Sequence, residues 1–177
     1  MTAHRLIVLL IAALPLCGQD ASFGLKAHGM VTMGDLRDLT NGQIGLGAYV
    51  FVEFPLLEAW RLRPTIGFQQ IPKGDTLGLL GTKTSVSSVD LMLDALWFPG
   101  EVQDKGAYLV GSAGAQMWRL SATGTNPSAT SATRLGLAGG LGYQFSPRLG
   151  LEMKGFWSPI QKDLTATGLT LGATYRF

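Results

Sequence analysis

Few residues in this chain are of a type that does chemistry, and their spacing argues for structural roles. His28 is the one histidine beyond the N-terminal leader. A strand histidine can act as a general base or hydrogen-bond a carboxylate. No His-x-Ser pairing accompanies it, so the carboxylate-bonded reading is preferred. Asp90 and Asp94 stand four apart, which places them on one strand face about 13 Å apart along the strand. That is too far for a carboxylate dyad or for one metal ion, and both read as counter-ions to Arg61 and Arg63. Cys17, the only cysteine, follows Leu16, where a lipidation motif wants a small residue. No metal-ligand spacing, phosphate loop or nucleophile elbow occurs. The expected catalytic, cofactor-binding and metal-binding sets are therefore empty.

What the sequence does carry is a patterned set of charges. Lys26, Glu53, Arg61, Arg63, Asp90, Asp94, Arg134, Glu152, Lys154 and Arg176 all fall on the polar parity of segments that alternate apolar and polar residues. Period-two alternation is the mark of a β-strand with one apolar face. Eight such segments are predicted, at about 22–33, 43–54, 60–71, 83–98, 106–119, 134–145, 149–158 and 168–177. The last reads GLTLGATYRF, with Leu169, Leu171, Ala173, Tyr175 and Phe177 on one side. No helical period of useful length follows the leader. The stretch 34–42 reads as a polar turn, and the uncharged Ser/Thr/Ala/Gly stretch 121–133 as a solvated loop. Pro64 predicts a bulge or a local gap, because proline cannot donate to a sheet ladder. The slipped alternation near 86–88 predicts a second bulge.

Composition bounds the class. The 177 residues are 46% hydrophobic and only 15% charged, with 24 glycines and a formal charge of +2, so no nucleic-acid partner is implied. His4 and Arg5 precede the apolar run 6–14, which Pro15 breaks. Nine apolar residues are too few to span a bilayer as a helix, so residues 1–21 read as a cleaved signal peptide and 22–177 as one domain.

Alternation alone does not say which face is inside. Charge placement does: an Arg or Lys at the midplane of a lipid face costs about 2–4 kcal/mol, and no charge strays onto the apolar parity of the strand cores. Aromatics point the same way. Phe23, Phe54, Trp60, Trp97, Phe145, Tyr175 and Phe177 gather toward one end, with Phe68 and Trp157 toward the other, as two interfacial girdles. The even connections each open on an aromatic followed by proline (Phe54-Pro55, Phe98-Pro99, Phe145-Ser146-Pro147), and the odd ones are mostly longer. The prediction is an all-β, eight-stranded antiparallel up-and-down transmembrane β-barrel whose polar parity fills the bore. Eight strands leave room only for side chains. The bore charges must therefore pair, and the inward glycines 45, 47, 136, 140, 142 and 172 make space for Arg and Lys.

These features resemble the small outer-membrane β-barrels of OmpA/OmpX type. The resemblance implies an integral protein of a Gram-negative outer membrane, surrounded by lipid. It further implies that Thr170, Gly172, Tyr175 and Phe177 form the terminal-strand signal read by the barrel assembly machinery. A monomer is expected. OmpA-like chains often continue into a peptidoglycan-binding domain, and cell-wall anchoring is not expected here.

The functional expectation is a non-enzymatic structural or surface-interaction barrel, serving membrane integrity or adhesion. The alternatives are a narrow, porin-like conduit for small solutes and a soluble periplasmic ligand-binding barrel, with a lipid-modifying enzyme kept at lower weight. Leu77, Leu79 and Leu80 stand where a polar external loop is expected. They read equally as a contact patch or as part of a hairpin extended beyond the membrane.

Overall fold

The computed structural model describes residues 21–76, 81–100, 105–124 and 127–177. The signal segment before residue 21, Cys17, and the leucines at 77, 79 and 80 lie outside the described residues. The elements are β1 (Ser22–Met33), α1 (Gly34–Thr40), β2 (Gly45–Leu57), β3 (Trp60–Asp75), β4 (Lys83–Trp97), β5 (Gly106–Thr123), β6 (Ser128–Gln144), β7 (Leu149–Gln161) and β8 (Leu164–Arg176). Each strand pairs antiparallel with the next, and β8 returns to β1 from Gly24↔Arg176 to Met33↔Thr167, closing the barrel.

Alternation decides the faces. Leu25, Leu46, Ile66, Leu93, Leu141, Met153 and Leu171 point outward and are exposed. Glu53, Arg63, Asp94 and Glu152 point inward and are buried. A soluble barrel would invert this arrangement, because exposed apolar area on such a scale has no favourable partner in water. Trp60, Trp97, Phe145 and Phe177 ring the end with the tight turns, and Phe68 and Trp157 mark the other end. On β4 and β5 charge returns to the outer face at Lys83 and Arg119, beyond Val89 and Met117.

Several local expectations are corrected. The stretch 34–42 is a short helix rather than a polar turn, because Leu36 and Thr40, four apart, bury the same face. Thr40 Oγ1 donates to the Leu36 carbonyl at 2.8 Å, and Asn41 ends the helix in the left-handed region at φ 51°. The stretch 121–133 is mostly strand: β5 and β6 pair as far as Ala122↔Ser128, since Ser, Thr and Ala carry no bulk that would prevent pairing. The irregularity expected near 86–88 falls on the partner strand: the β3–β4 register shifts between Ile71↔Val86 and Gly74↔Thr84, while β4 pairs with β5 unbroken through 86–88. At Pro64 the β2–β3 ladder passes from Phe51↔Thr65 to Phe54↔Leu62 in unchanged register, so a gap rather than a bulge accommodates the proline.

The slipped alternation at 86–88 has a second cause as well. Above the lipid band the inward parity turns apolar: Met30, Ile71, Val86, Trp118, Ile160 and Ala166 are all buried and pack with Leu36 of α1. The helix lies over this end, tied to β8 by the Thr165 N–H donating to Asp35 Oδ2 at 3.0 Å. Gly74 of β3 admits the helix, because a Cβ there would collide with the Thr40 backbone. Nearer the tight turns a second apolar group, Leu96, Phe98, Tyr108 and Val110, lines the bore from the β4–β5 side.

Candidate functional site: a sealed ionic bore

Below the upper apolar layer lies the charge network, which reaches down beside the second apolar group, where Arg61 stands over Phe98; Arg63 is its hub. From β3 it donates to Asp94 Oδ2 through Nη2 at 2.9 Å and Nε at 3.2 Å, and it also bonds Glu152 of β7. Its Nη1 lies 3.9 Å from Glu53 Oε2, and the guanidinium stands over the Phe51 ring at 5.1 Å. Lys26 Nζ pairs with Glu152 Oε2 at 2.8 Å, and Lys154 Nζ with Asp94 Oδ2 at 2.9 Å. Glu53 receives Arg61 at 2.9 Å and Arg176 at 2.7 Å. Tyr108 donates to Glu152 Oε1 at 2.8 Å, and Lys154 donates to Ser112 Oγ at 3.0 Å. Multiple partners for each buried charge are what make such burial tolerable, because a lone ion there would cost several kcal/mol.

The structure brings Glu53, Arg61, Arg63, Asp94, Glu152, Lys154 and Arg176 together, with Lys26 beside them. Two expected members stand apart. Asp90 accepts a hydrogen bond from Tyr49 and has no cation within ion-pair distance among the described residues. Arg134 is exposed on β6, above the bore, and its Nη1 donates to the Thr133 carbonyl at 3.1 Å. Its parity is inward, but β6 has risen beyond the barrel mouth at that height. Among the described residues no carboxylate hydrogen-bonds His28, which stacks on Tyr49 at 5.3 Å instead.

The inward glycines make room for neighbours other than Arg and Lys side chains, two of them for rings. A Cβ at Gly142 would strike the Tyr108 ring, and one at Gly47 would strike the His28 imidazole. A cavity of about 60 Å³ remains beneath the upper apolar layer, lined by Lys26, His28, Tyr49, Gln69, Asp94 and Lys154 among others. Of the terminal-strand residues, Thr170 faces the bore and donates to the Lys154 carbonyl at 3.4 Å, and Gly172 sits opposite His28. Tyr175 and Phe177 face outward, 5.6 Å apart between ring centres, and the Phe177 N–H donates to the Phe23 carbonyl at 2.9 Å.

No protein-family profile and no curated protein sequence matches the chain. Solved structures do. The attachment invasion locus protein Ail of Yersinia pestis superposes with a TM-score of 0.61 at 16% identity, over 89% of this chain and 97% of that one. The fold is that of the small outer-membrane barrels. The N-terminal barrel domain of Pseudomonas aeruginosa OprF gives a TM-score of 0.61 at 14% identity, covering 88% of this chain and 97% of that one. Neisserial surface protein A gives 0.60 at 16%, covering 89% and 97%.

As a barrel of this fold the chain departs from symmetry in height. β3, β4, β5 and β6 rise well above β7, β8, β1 and β2. The β2–β3 ladder stops at Leu46↔Gln70, and α1 covers the β3 flank above it, where Thr76 Oγ1 donates to the Leu39 carbonyl at 3.5 Å. The β6–β7 ladder stops at Leu137↔Trp157. Two positions further on, the register would set Leu135 against Pro159, which has no N–H to give. Ser158 Oγ donates to the Leu135 carbonyl in its place at 3.2 Å, and itself receives Trp118 Nε1 at 3.0 Å. The tall sheet and its bare β6 flank left no trace in the charge and parity pattern. Pro159 is the one sequence signal that could have located the break.

Proposed function

We propose that the chain is a non-enzymatic integral barrel of the outer membrane that holds a tall β-sheet above the lipid band for surface interaction. One observation carries this reading: the bore is filled by the α1-capped apolar layer and by the Arg63 network that bridges it from β3 to β7, with the Phe98–Tyr108 group narrowing it further. A conduit needs a continuous wet path, and the upper apolar layer with the bridging ion pairs opposes one. The exposed leucines of the outer band argue against a soluble periplasmic barrel.

Adhesion is the finer reading. It is supported by the likeness to a structure titled an attachment invasion locus protein and by the four raised strands. Recognition of Thr170, Gly172, Tyr175 and Phe177 by the assembly machinery belongs to the same reading, as does a monomeric state. Purified protein in a planar bilayer tests it. The expected result is no single-channel current, and steady ohmic current would restore the conduit.

A further inference from the structure

The cavity of about 60 Å³ beneath the upper apolar layer is left over after the bore charges have paired. Phe156, which packs against that layer, forms part of its wall, and Lys26, Asp94 and Lys154 line it from the charge network. His28 also lines it and is only 6% exposed. Neither ring nitrogen of His28 meets a hydrogen-bond partner of good geometry, although Gln69 stands alongside. A buried polar group left unpaired in this way calls for something in the space it faces.

The charges around the cavity do not cancel. Lys26, Arg63 and Lys154 share two carboxylates, Asp94 and Glu152. The next carboxylate, Glu53, already receives Arg61 and Arg176. Asp90 does not line the cavity; Tyr49, which does, donates its hydroxyl proton to it. Lys26 and Lys154 approach the same atom, Glu152 Oε2, at 2.8 and 3.9 Å, so they are close enough for one small ion to meet both. An ammonium has three N–H groups to donate. Lys26 Nζ uses one on Glu152, and Lys154 Nζ uses two, on Asp94 and Ser112, so both retain donor capacity. Two like charges this close repel strongly away from bulk water, and an anion between them relieves that repulsion.

From this arrangement we propose that the cavity is a binding site for one small inorganic anion of halide size, held between Lys26 and Lys154 with the His28 imidazole at its side. The excess positive charge disfavours a cation. Water alone would satisfy His28 but would leave the charge uncompensated. The volume, roughly that of two waters in the liquid, excludes an organic ligand. The proposal concerns the bore alone and is independent of the surface-interaction reading. An anion that binds the folded barrel and not the unfolded chain raises stability with its concentration.

The test unfolds the full barrel with urea in phosphatidylcholine vesicles at fixed ionic strength, exchanging sodium gluconate, too large for the cavity, stepwise for sodium bromide. The urea midpoint is expected to rise with bromide, and exchanging sodium for potassium should leave it unchanged. Lys26→Met removes one ammonium while Glu152 keeps Arg63 and Tyr108. It should abolish the bromide-dependent rise, whatever its own midpoint. His28→Phe keeps the ring on Tyr49 but removes its nitrogens; it should reduce the rise, and it keeps the test open if the lysine variant fails to fold. In crystals of the native barrel grown in bromide, an anomalous peak is expected inside the cavity, touching both Nζ atoms. The assignment is overturned by an equal rise in the native chain and the variants, by a midpoint that follows the cation, or by a cavity holding water only. Channel current in a planar bilayer would overturn the surface reading without bearing on these outcomes, so the two fail separately.

Discussion

Arg63 on β3 bonds Glu152 on β7, the strand diametrically opposite in an eight-stranded ring. One ion pair therefore bridges the full bore, and Asp94, Glu53, Lys26 and Lys154 are arranged about it. Removing one partner leaves a buried charge uncompensated. Arg63→Met is expected to cost about 3–5 kcal/mol of barrel stability, measured by urea unfolding in lipid vesicles. Arg63→Met with Glu152→Met should cost less than the sum of the two single changes. Additive losses would show that the pair is not coupled.

Leu36 is the part of α1 that enters the upper apolar layer, and it is fully buried. Leu36→Ala should weaken the helix cap by roughly 2–5 kcal/mol through the cavity it leaves. Because α1 is only seven residues long, the loss should be local. Amide exchange is expected to rise over residues 34–40 while the β-strand amides stay protected. Planar-bilayer current should remain absent, since the Arg63 network still closes the bore below. Channel opening in this variant would show that the helix alone is the stopper.

Pro159 ends the β6–β7 ladder by lacking an N–H, and Ser158 Oγ substitutes for it at Leu135. Pro159→Thr restores a donor, worth about 0.5–1.5 kcal/mol when the bond forms. The β6–β7 ladder should lengthen by one bonded pair, seen as new exchange protection at residue 159. Unprotected, fast exchange of the new amide would mean that the Ile160 packing, and not the missing donor, bends β7 away.

The barrel, its handed-out faces and most of its bore charges were readable from parity alone, because a period of two maps one face onto lipid and the other onto the interior. Lys26, Glu53, Arg63 and Glu152 needed no more than that. The rule fails where the solvent changes. Above the lipid band the outer face meets water, and the inner face becomes an ordinary apolar core. Val86, Trp118 and Ile160 then occupy the parity that Asp90, Gln116 and Ser158 hold elsewhere on the same strands. Parity also does not give height. Arg134 has bore parity but sits above the mouth, and SATSAT lacks the apolar residues by which a strand announces itself. The α1 helix was hidden for a third reason: a seven-residue helix shows only one buried pair, Leu36 and Thr40, and that is no detectable period.

The most direct test concerns the direction in which the leucines point. Leu171 lies outward on β8, between Gly29 of β1 and Met153 of β7, and is 56% exposed. Folding of Leu171→Arg into lipid bilayers should lose about 2–4 kcal/mol relative to the native chain, whereas Met33→Arg, at the upper margin, should lose about 0–1. Equal tolerance of arginine at both positions would contradict a lipid-facing exterior, and with it the sealed ionic bore on which the account depends.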